Sequence, residues 1–362
     1  MHQNIRFCTT TDGVRIAYAV SGAGSPLVMP ATWLSHLEHQ WQSLAWLPWL
    51  ETLSQKYTLL RYDSRGCGLS DREPAEFSFE GWMRDIEAAV DAAGFRQFDI
   101  LATCWGAPIG IEYAARHADR VNRLVLYGAY GLGRLRSDQP IETERARLLL
   151  DMMRLGWGRE NHAFCQMWGS YFQPGGTLEH FRSWSEQQAL STSPETAVRL
   201  LQIGWQTDVR SAARRINCPT LALHISRDTV VPIEDGRRLA ALIPDCRFVQ
   251  IDGENHMPLA DEPAWLRILE EIDNFLKQSA TTNDRRPTLP LGDLTQRERD
   301  VLEAIAQGLD NNEIAASLGL SEKTVRNHIT RVLSKIGVEH RYQAIVRARD
   351  AGLGMKSRAP AS

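Results

Sequence analysis

Six short apolar runs, PLVMPA, YTLLRYD, FDILATC, RLVLYGA, PTLALHI and CRFVQID, recur along residues 26–252, and most are rich enough in Val, Leu and Ile to be strands buried on both faces. A sheet of such strands has to be covered on each side. Between several of them lie helical patterns, such as Trp82, Ile86, Val90 and Ala93 at four- and three-residue spacing, which suit crossover helices on a mostly parallel sheet. The expected fold class is therefore α/β. The N-terminal FCTTTDGVRIAYAV reads instead as an antiparallel hairpin turning at Asp12-Gly13.

At 362 residues the chain exceeds one typical core, and the polar, proline-flanked stretch KQSATTNDRRPTLP at 277–290 marks a break. The expected organisation is a larger domain at 1–278 with a helical insertion at about 131–215, a linker at 279–290, a small all-α domain at 291–355 and a flexible tail at 356–362. The composition, 43% hydrophobic and 23% charged, excludes disordered and fibrous classes. There is no run of about 18 apolar residues, and MHQNIRFCTTTDG lacks the charged-then-apolar pattern of a signal peptide. The expected location is the cytoplasm, with no membrane partner. Cysteines at 8, 67, 104, 165, 218 and 246 form no close pair and no zinc-binding spacing. They are read as reduced thiols, and no metal or cofactor is expected.

Chemistry concentrates after FDILATC. Ala102-Thr103-Cys104-Trp105-Gly106 has the small-x-nucleophile-x-small form of a nucleophile elbow, with cysteine where serine usually stands. Small residues are needed there because a sharp strand-to-helix turn holds the nucleophile in a strained backbone and would drive bulky neighbours into the strand or helix beside it. The helix that follows directs its amide dipoles at Cys104, favouring a thiolate or an oxyanion. On this stretch alone, a buried structural cysteine explains the pattern equally well.

The rest of the chain shifts that balance. Asp228 follows the strand PTLALHIS and His256 follows CRFVQIDG, each just beyond a strand's carboxyl end, where open α/β sheets bind ligands. The order nucleophile, acid, histidine gives each a role. His256 would take the Cys104 proton, and Asp228 would orient the imidazole and stabilise its cation. His36 and His39, three residues apart, have no evident third ligand and are read as structural rather than metal-binding.

With these residues in place, 1–278 resembles the α/β-hydrolase superfamily, particularly the branch fused to bacterial regulators and nucleotide cyclases. The resemblance includes Ser35-His36-Leu37-Glu38 with Trp41, the stretch Arg61 to Asp71 reading RYDSRGCGLSD, and Gln206-Thr207-Asp208-Val209-Arg210. It implies an oxyanion hole from the backbone N–H groups of Trp33 and Trp105. This chain departs from the usual pattern at Cys104, as dienelactone-hydrolase-like relatives do, and at Thr32, where glycine is common. It also implies a lid at the helical insertion. That segment is rich in aromatic and sulfur side chains, and Met153, Trp157, Trp168, Trp184 and Trp205 are candidates to line an apolar chamber above Cys104. For each of them, simple packing of lid on body is the competing reading.

From Leu294 the punctuation is that of four short helices. Thr295 and Glu298 make a capping box before Val301, Leu302 and Ile305. Asn311 or Asp310 caps the second helix, which ends at Gly319. Ser321 caps the third, whose Val325, Ile329, Val332 and Ile336 share one face. The opposite face then carries Lys323, Arg326, Asn327, Thr330 and Arg331, cations for phosphates and polar groups able to read base edges. Between Ser321 and Arg341 five basic residues stand against two acidic ones. This stretch resembles the LuxR/FixJ helix-turn-helix over about 60 residues. The resemblance makes Ser321 to Lys335 the recognition helix, with Arg326, Asn327 and Thr330 at base-contacting positions and Lys323, Thr324 and His328 on the DNA backbone. It makes Tyr342 to Ala351 the helix that pairs such domains.

The expected function is a DNA-binding transcriptional regulator, a homodimer on double-stranded operator DNA, whose hydrolase-like domain senses a small hydrophobic or aromatic ligand at Cys104, Asp228 and His256. A competing expectation is an active cysteine hydrolase of an ester, lactone or thioester with an attached DNA-binding domain. A third, a dimerisation scaffold, predicts no ligand at all.

Overall fold

The computed structural model describes residues 3–157, 162–277 and 294–354, so the expected linker and tail lie outside the described residues. The strands are β1 (Asn4–Thr9), β2 (Arg15–Ser21), β3 (Ser25–Met29), β4 (Tyr57–Tyr62), β5 (Phe98–Thr103), β6 (Val121–Tyr127), β7 (Thr220–Ile225) and β8 (Cys246–Ile251). They form one sheet in the order β1-β2-β4-β3-β5-β6-β7-β8. The first two make the antiparallel hairpin read from the sequence, turning through Gly13 at φ +84°. From β3 to β8 every pairing is parallel.

Helices cover both faces because both faces are apolar. Ile100, Leu124 and Ala222 share one cluster with residues of α2 (Phe79–Ala92), α3 (Ala107–Arg116) and α9 (Ile233–Leu242). Leu101, Val125 and Leu221, the alternate positions, pack on α1 (Leu47–Lys56) and α10 (Pro263–Lys277). Between β6 and β7 the chain inserts α4 (Pro140–Gly156), α5 (His162–Phe172), α6 (Leu178–Ser191), α7 (Pro194–Trp205) and α8 (Arg210–Ala213). Strands β3 and β5 are neighbours, and the chain leaves β3 for β4 on the far side, so a crevice opens at their carboxyl ends.

The loop after β4 is held by buried charge. Arg65 is fully buried; its Nε donates to Asp85 Oδ1 at 2.9 Å and its Nη1 to Asp12 Oδ2 at 2.7 Å. Burial raises the Asp85 carboxyl to about 6, against the pull of Arg65. Asp63, also buried, accepts from the amides of Leu37 at 3.1 Å and Leu69 at 2.9 Å, tying this loop to the one that follows β3. Gly68 permits that closure: at φ +54°, a Cβ there would sit 2.0 Å from Asp63 Oδ2.

The C-terminal helices are α11 (Gln296–Ala306), α12 (Asn311–Leu318), α13 (Glu322–Lys335) and α14 (Arg341–Asp350). Thr295 and Glu298 form the expected capping box, Asp310 rather than Asn311 caps α12, and Gly319 ends it at φ +63°. Val301, Ile305, Ile314, Val325, Val332 and Ala348 make their core. That core also takes in Ala241, from α9 of the larger domain. Along the same seam the Tyr342 hydroxyl bonds to Glu234, and the Arg238 guanidinium lies 5.6 Å from the Tyr342 ring centroid. Arg349, buried, donates to Ala306 O at 2.7 Å and to Ala240 O at 2.9 Å, and also to Ile243 O. One guanidinium thus satisfies the carboxyl ends of two helices from different domains.

Removing the Arg65 charge strands Asp85 in the interior. We expect Arg65→Met to lower the unfolding free energy by about 3–5 kcal/mol in urea denaturation.

Candidate functional site

The carboxyl end of β5 is a strained turn. Cys104 has φ +43°, the only non-glycine residue with positive φ among the described residues. The glycines after it have no room for a side chain. A Cβ on Gly106 would stand 3.0 Å from Pro30 O, and one on Gly110 would stand 2.7 Å from Ala102 Cβ. Cys104 itself is half-buried, whereas Cys67, Cys218 and Cys246 are buried.

Asp228 and His256 meet behind it. Asp228 Oδ1 accepts from the amides of Val230 at 2.8 Å and Val231 at 3.0 Å, and Oδ2 pairs with His256 Nδ1 at 2.6 Å. Tyr127 donates its hydroxyl to His256 O at 2.6 Å and fixes the backbone that carries the ring. Gly128, at φ +57°, lets the ring approach, since a Cβ there would lie 2.8 Å from His256 Cε1. Burial works against the charged imidazole, but the Asp228 carboxylate and the neighbouring Cys104 overcome it and push the His256 pKa up to about 10. His256 Nε2 is buried without a hydrogen-bond partner. The Cys104 thiol is close enough to act on the ring.

Above these residues is a cavity of about 80 Å³, counted as the space open to a water's centre, which is room for several waters. Cys104, Trp105, Trp33, Trp168, Trp184, Trp205 and His256 all line it. Trp157 and Met153 do not; both are buried in the core beside it, with Trp157 packed 5.6 Å from the Trp33 ring. Trp33 and Trp105 stand 6.3 Å apart, and the Trp33 indole donates to Ala197 O at 3.2 Å, tying the loop after β3 to the lid. Polar residues absent from the sequence reading also line the wall, namely Tyr130, Arg134 and Asp235. His36 accepts the His39 amide at 3.3 Å, and the two rings lie 6.3 Å apart.

On α13, Lys323, Arg326, Asn327, Thr330 and Arg331 are exposed and Thr324 and His328 half-buried, opposite the buried Val325, Ile329 and Val332. The Ser321 hydroxyl caps the helix by accepting the Thr324 amide at 3.1 Å. Arg326 makes only a loose exposed pair with Glu322 at 3.4 Å, and Thr330 bonds back to Arg326 O at 3.1 Å. No helix among the described residues is long and apolar enough to cross a membrane.

Residues 26–263 match the family described as alpha/beta hydrolase fold. The chain belongs to that family. Residues 293–348 match the bacterial regulatory proteins of the luxR family, so this α/β-hydrolase carries a LuxR-type DNA-binding domain. A putative carbamate hydrolase, RutD, from Azorhizobium caulinodans is 25% identical over 245 residues, covering 66% of this chain and 87% of that one. A pyrrolizixenacetamide deacetylase from Xenorhabdus hominickii is 24% identical over 66% of this chain and 86% of its own length. Among solved structures, an esterase from Exiguobacterium antarcticum superposes with a TM-score of 0.63 at 20% identity, over 75% of this chain and 99% of that one. An enol-lactonase from Burkholderia xenovorans gives 0.61 at 20% identity, over 75% and 100%. These likenesses show the fold of the hydrolase domain.

Gly128 and the polar wall were missed because their roles arise from distant strands and lid turns converging on one crevice. A glycine directly after RLVLY was the only available signal. In the hydrolase domain the His256 pKa lies above the ordinary imidazole value of about 6.5. The stabilisation its protonated ring draws from Asp228 is therefore full below that value and is lost as the pH climbs towards about 10. Asp228 is held below its usual range, because His256 outweighs the burial that raises it, and stays ionised throughout that window. We expect Asp228→Asn to lower the thermal midpoint more at about pH 6 than at about pH 9.

Proposed function

We propose that this protein is a ligand-responsive DNA-binding regulator in which the hydrolase domain serves as sensor and α9 carries the signal. The observation that supports this reading most is the position of α9. Its first turn contributes Asp235 to the cavity wall, and it follows directly on Val230 and Val231, which line the same cavity. Its last turn carries Ala241 into the core of the DNA-binding domain and offers Ala240 O to Arg349. A ten-residue helix is about 15 Å of rigid rod, so a shift imposed by ligand at one end reaches the other.

The target is double-stranded DNA, read by the exposed face of α13. Arg326, Asn327 and Thr330 meet bases, while Lys323, Thr324, His328 and Arg331 hold the backbone. A two-fold operator requires a dimer, formed through α14 as in the family this domain resembles. Tyr342 and Arg349 of α14 are engaged by α9, so pairing through that helix follows its release. On a duplex selected from a random pool, Arg326→Ala or Asn327→Ala is expected to cost about 1–3 kcal/mol of discrimination at one base pair. Uniform loss across all sequences would count against base reading. Ala241→Arg, which forces the seam apart, is expected to raise both the dimer fraction in sedimentation and the affinity for the selected duplex by tenfold or more. Unchanged dimerisation and affinity would remove α9 from the signal path.

A second reading is favoured by the strained Cys104 beside an oriented His256. The domain would then hydrolyse an ester, lactone or thioester, with the Trp33 and Trp105 amides receiving the oxyanion. Activated esters distinguish the readings. Release over many turnovers supports a hydrolase, and a single stoichiometric burst supports a sensor.

A further inference from the structure

We infer that the cavity is built for a small organic acid, whose carboxylate pairs with Arg134 and whose apolar body lies among Trp168, Trp184 and Trp205. This rests on the reading of the cavity as a ligand site and names the chemistry that site selects. Arg134 sits on a turn at the start of the lid insertion and lines the cavity. Its Nη1 donates to the Tyr171 hydroxyl at 2.7 Å, its Nη2 to Val230 O, and its Cζ lies 5.9 Å from the Trp205 ring centroid.

Every one of those partners is neutral. Among the described residues no carboxylate is ion-paired with this guanidinium; the buried Arg61 likewise has neutral partners, Gln40 and Gln3, but does not line this cavity. Arg65 is matched by Asp12 and Asp85. The carboxylates of Glu142 and Asp235 act on the Arg134 cation only from beyond ion-pair distance, so a carboxylate that joins it through two parallel N–H···O bonds adds a contact the protein itself does not make. Asp235, a carboxylate on the same wall, acts on Arg134 from beyond ion-pair distance and does not fill that place. It pairs with Arg238 at 3.3 Å, three residues along α9. Tyr130, on the same wall, has a buried hydroxyl with no hydrogen-bond partner and offers one further donor.

An acid seated there also competes for the donor now held by Val230 O. That carbonyl belongs to the loop pinned by Asp228 immediately before α9. Ligand charge is thus read at the root of the helix that reaches the DNA-binding domain.

The test uses the full chain and two probes of equal shape, 3-phenylpropanoate and its primary amide. Binding is followed by quenching of tryptophan fluorescence. The wild type is expected to bind the acid at least tenfold more tightly than the amide. Arg134→Gln should lower affinity for the acid tenfold or more while leaving the amide within twofold, and Arg134→Lys should fall between. If Arg134→Gln does not fold, the acid-to-amide ratio of the wild type and of Arg134→Lys carries the test. Equal binding of acid and amide, or an acid affinity indifferent to position 134, overturns the carboxylate assignment and leaves the sensing role standing. Failure of both probes to bind at millimolar concentration overturns the two together.

Discussion

The Asp228 carboxylate is the point on which the molecule turns. One oxygen takes the two amides that begin the path into α9, and the other takes the imidazole that faces Cys104. A charged acceptor with three donors is far harder to displace than a neutral one, and here it is buried where water cannot replace them. The orientation of the histidine and the placement of the helix that reaches the DNA-binding domain are therefore set by the same side chain. Site geometry and interdomain contact share a foundation.

That sharing explains what the sequence disclosed. Cys104, Asp228 and His256 were legible because each follows directly on a run of strand residues, and a parallel sheet brings its carboxyl ends together whatever lies between. The helix caps at Thr295 and Ser321 were legible because capping is a local hydrogen bond. Trp157 and Trp168 could not be told apart by composition or spacing, since only the packed lid decides which indole turns to the cavity and which to the core. Arg134, Gly128 and the seam between α9 and α14 were not legible either. Each depends on segments tens to more than a hundred residues apart in the chain, and none of them carries a local mark of its partner.

The two surfaces of the DNA-binding domain are in different states. The face of α13 is open to solvent, its cations only loosely paired, so long-range attraction to phosphate is available at all times. The face of α14 is occupied. A face open to nucleic acid and a face covered by the hydrolase domain thus coexist in one small domain.

The place of Ala241 has an evolutionary corollary. The hydrolase body meets its neighbour through a few groups: the Ala241 methyl in the neighbour's interior, two main-chain oxygens for Arg349, and Glu234 and Arg238 about Tyr342. Grafting this reader onto another body of the same fold needs so few groups, gathered on one helix, that shuffling of such modules between scaffolds meets a low structural barrier.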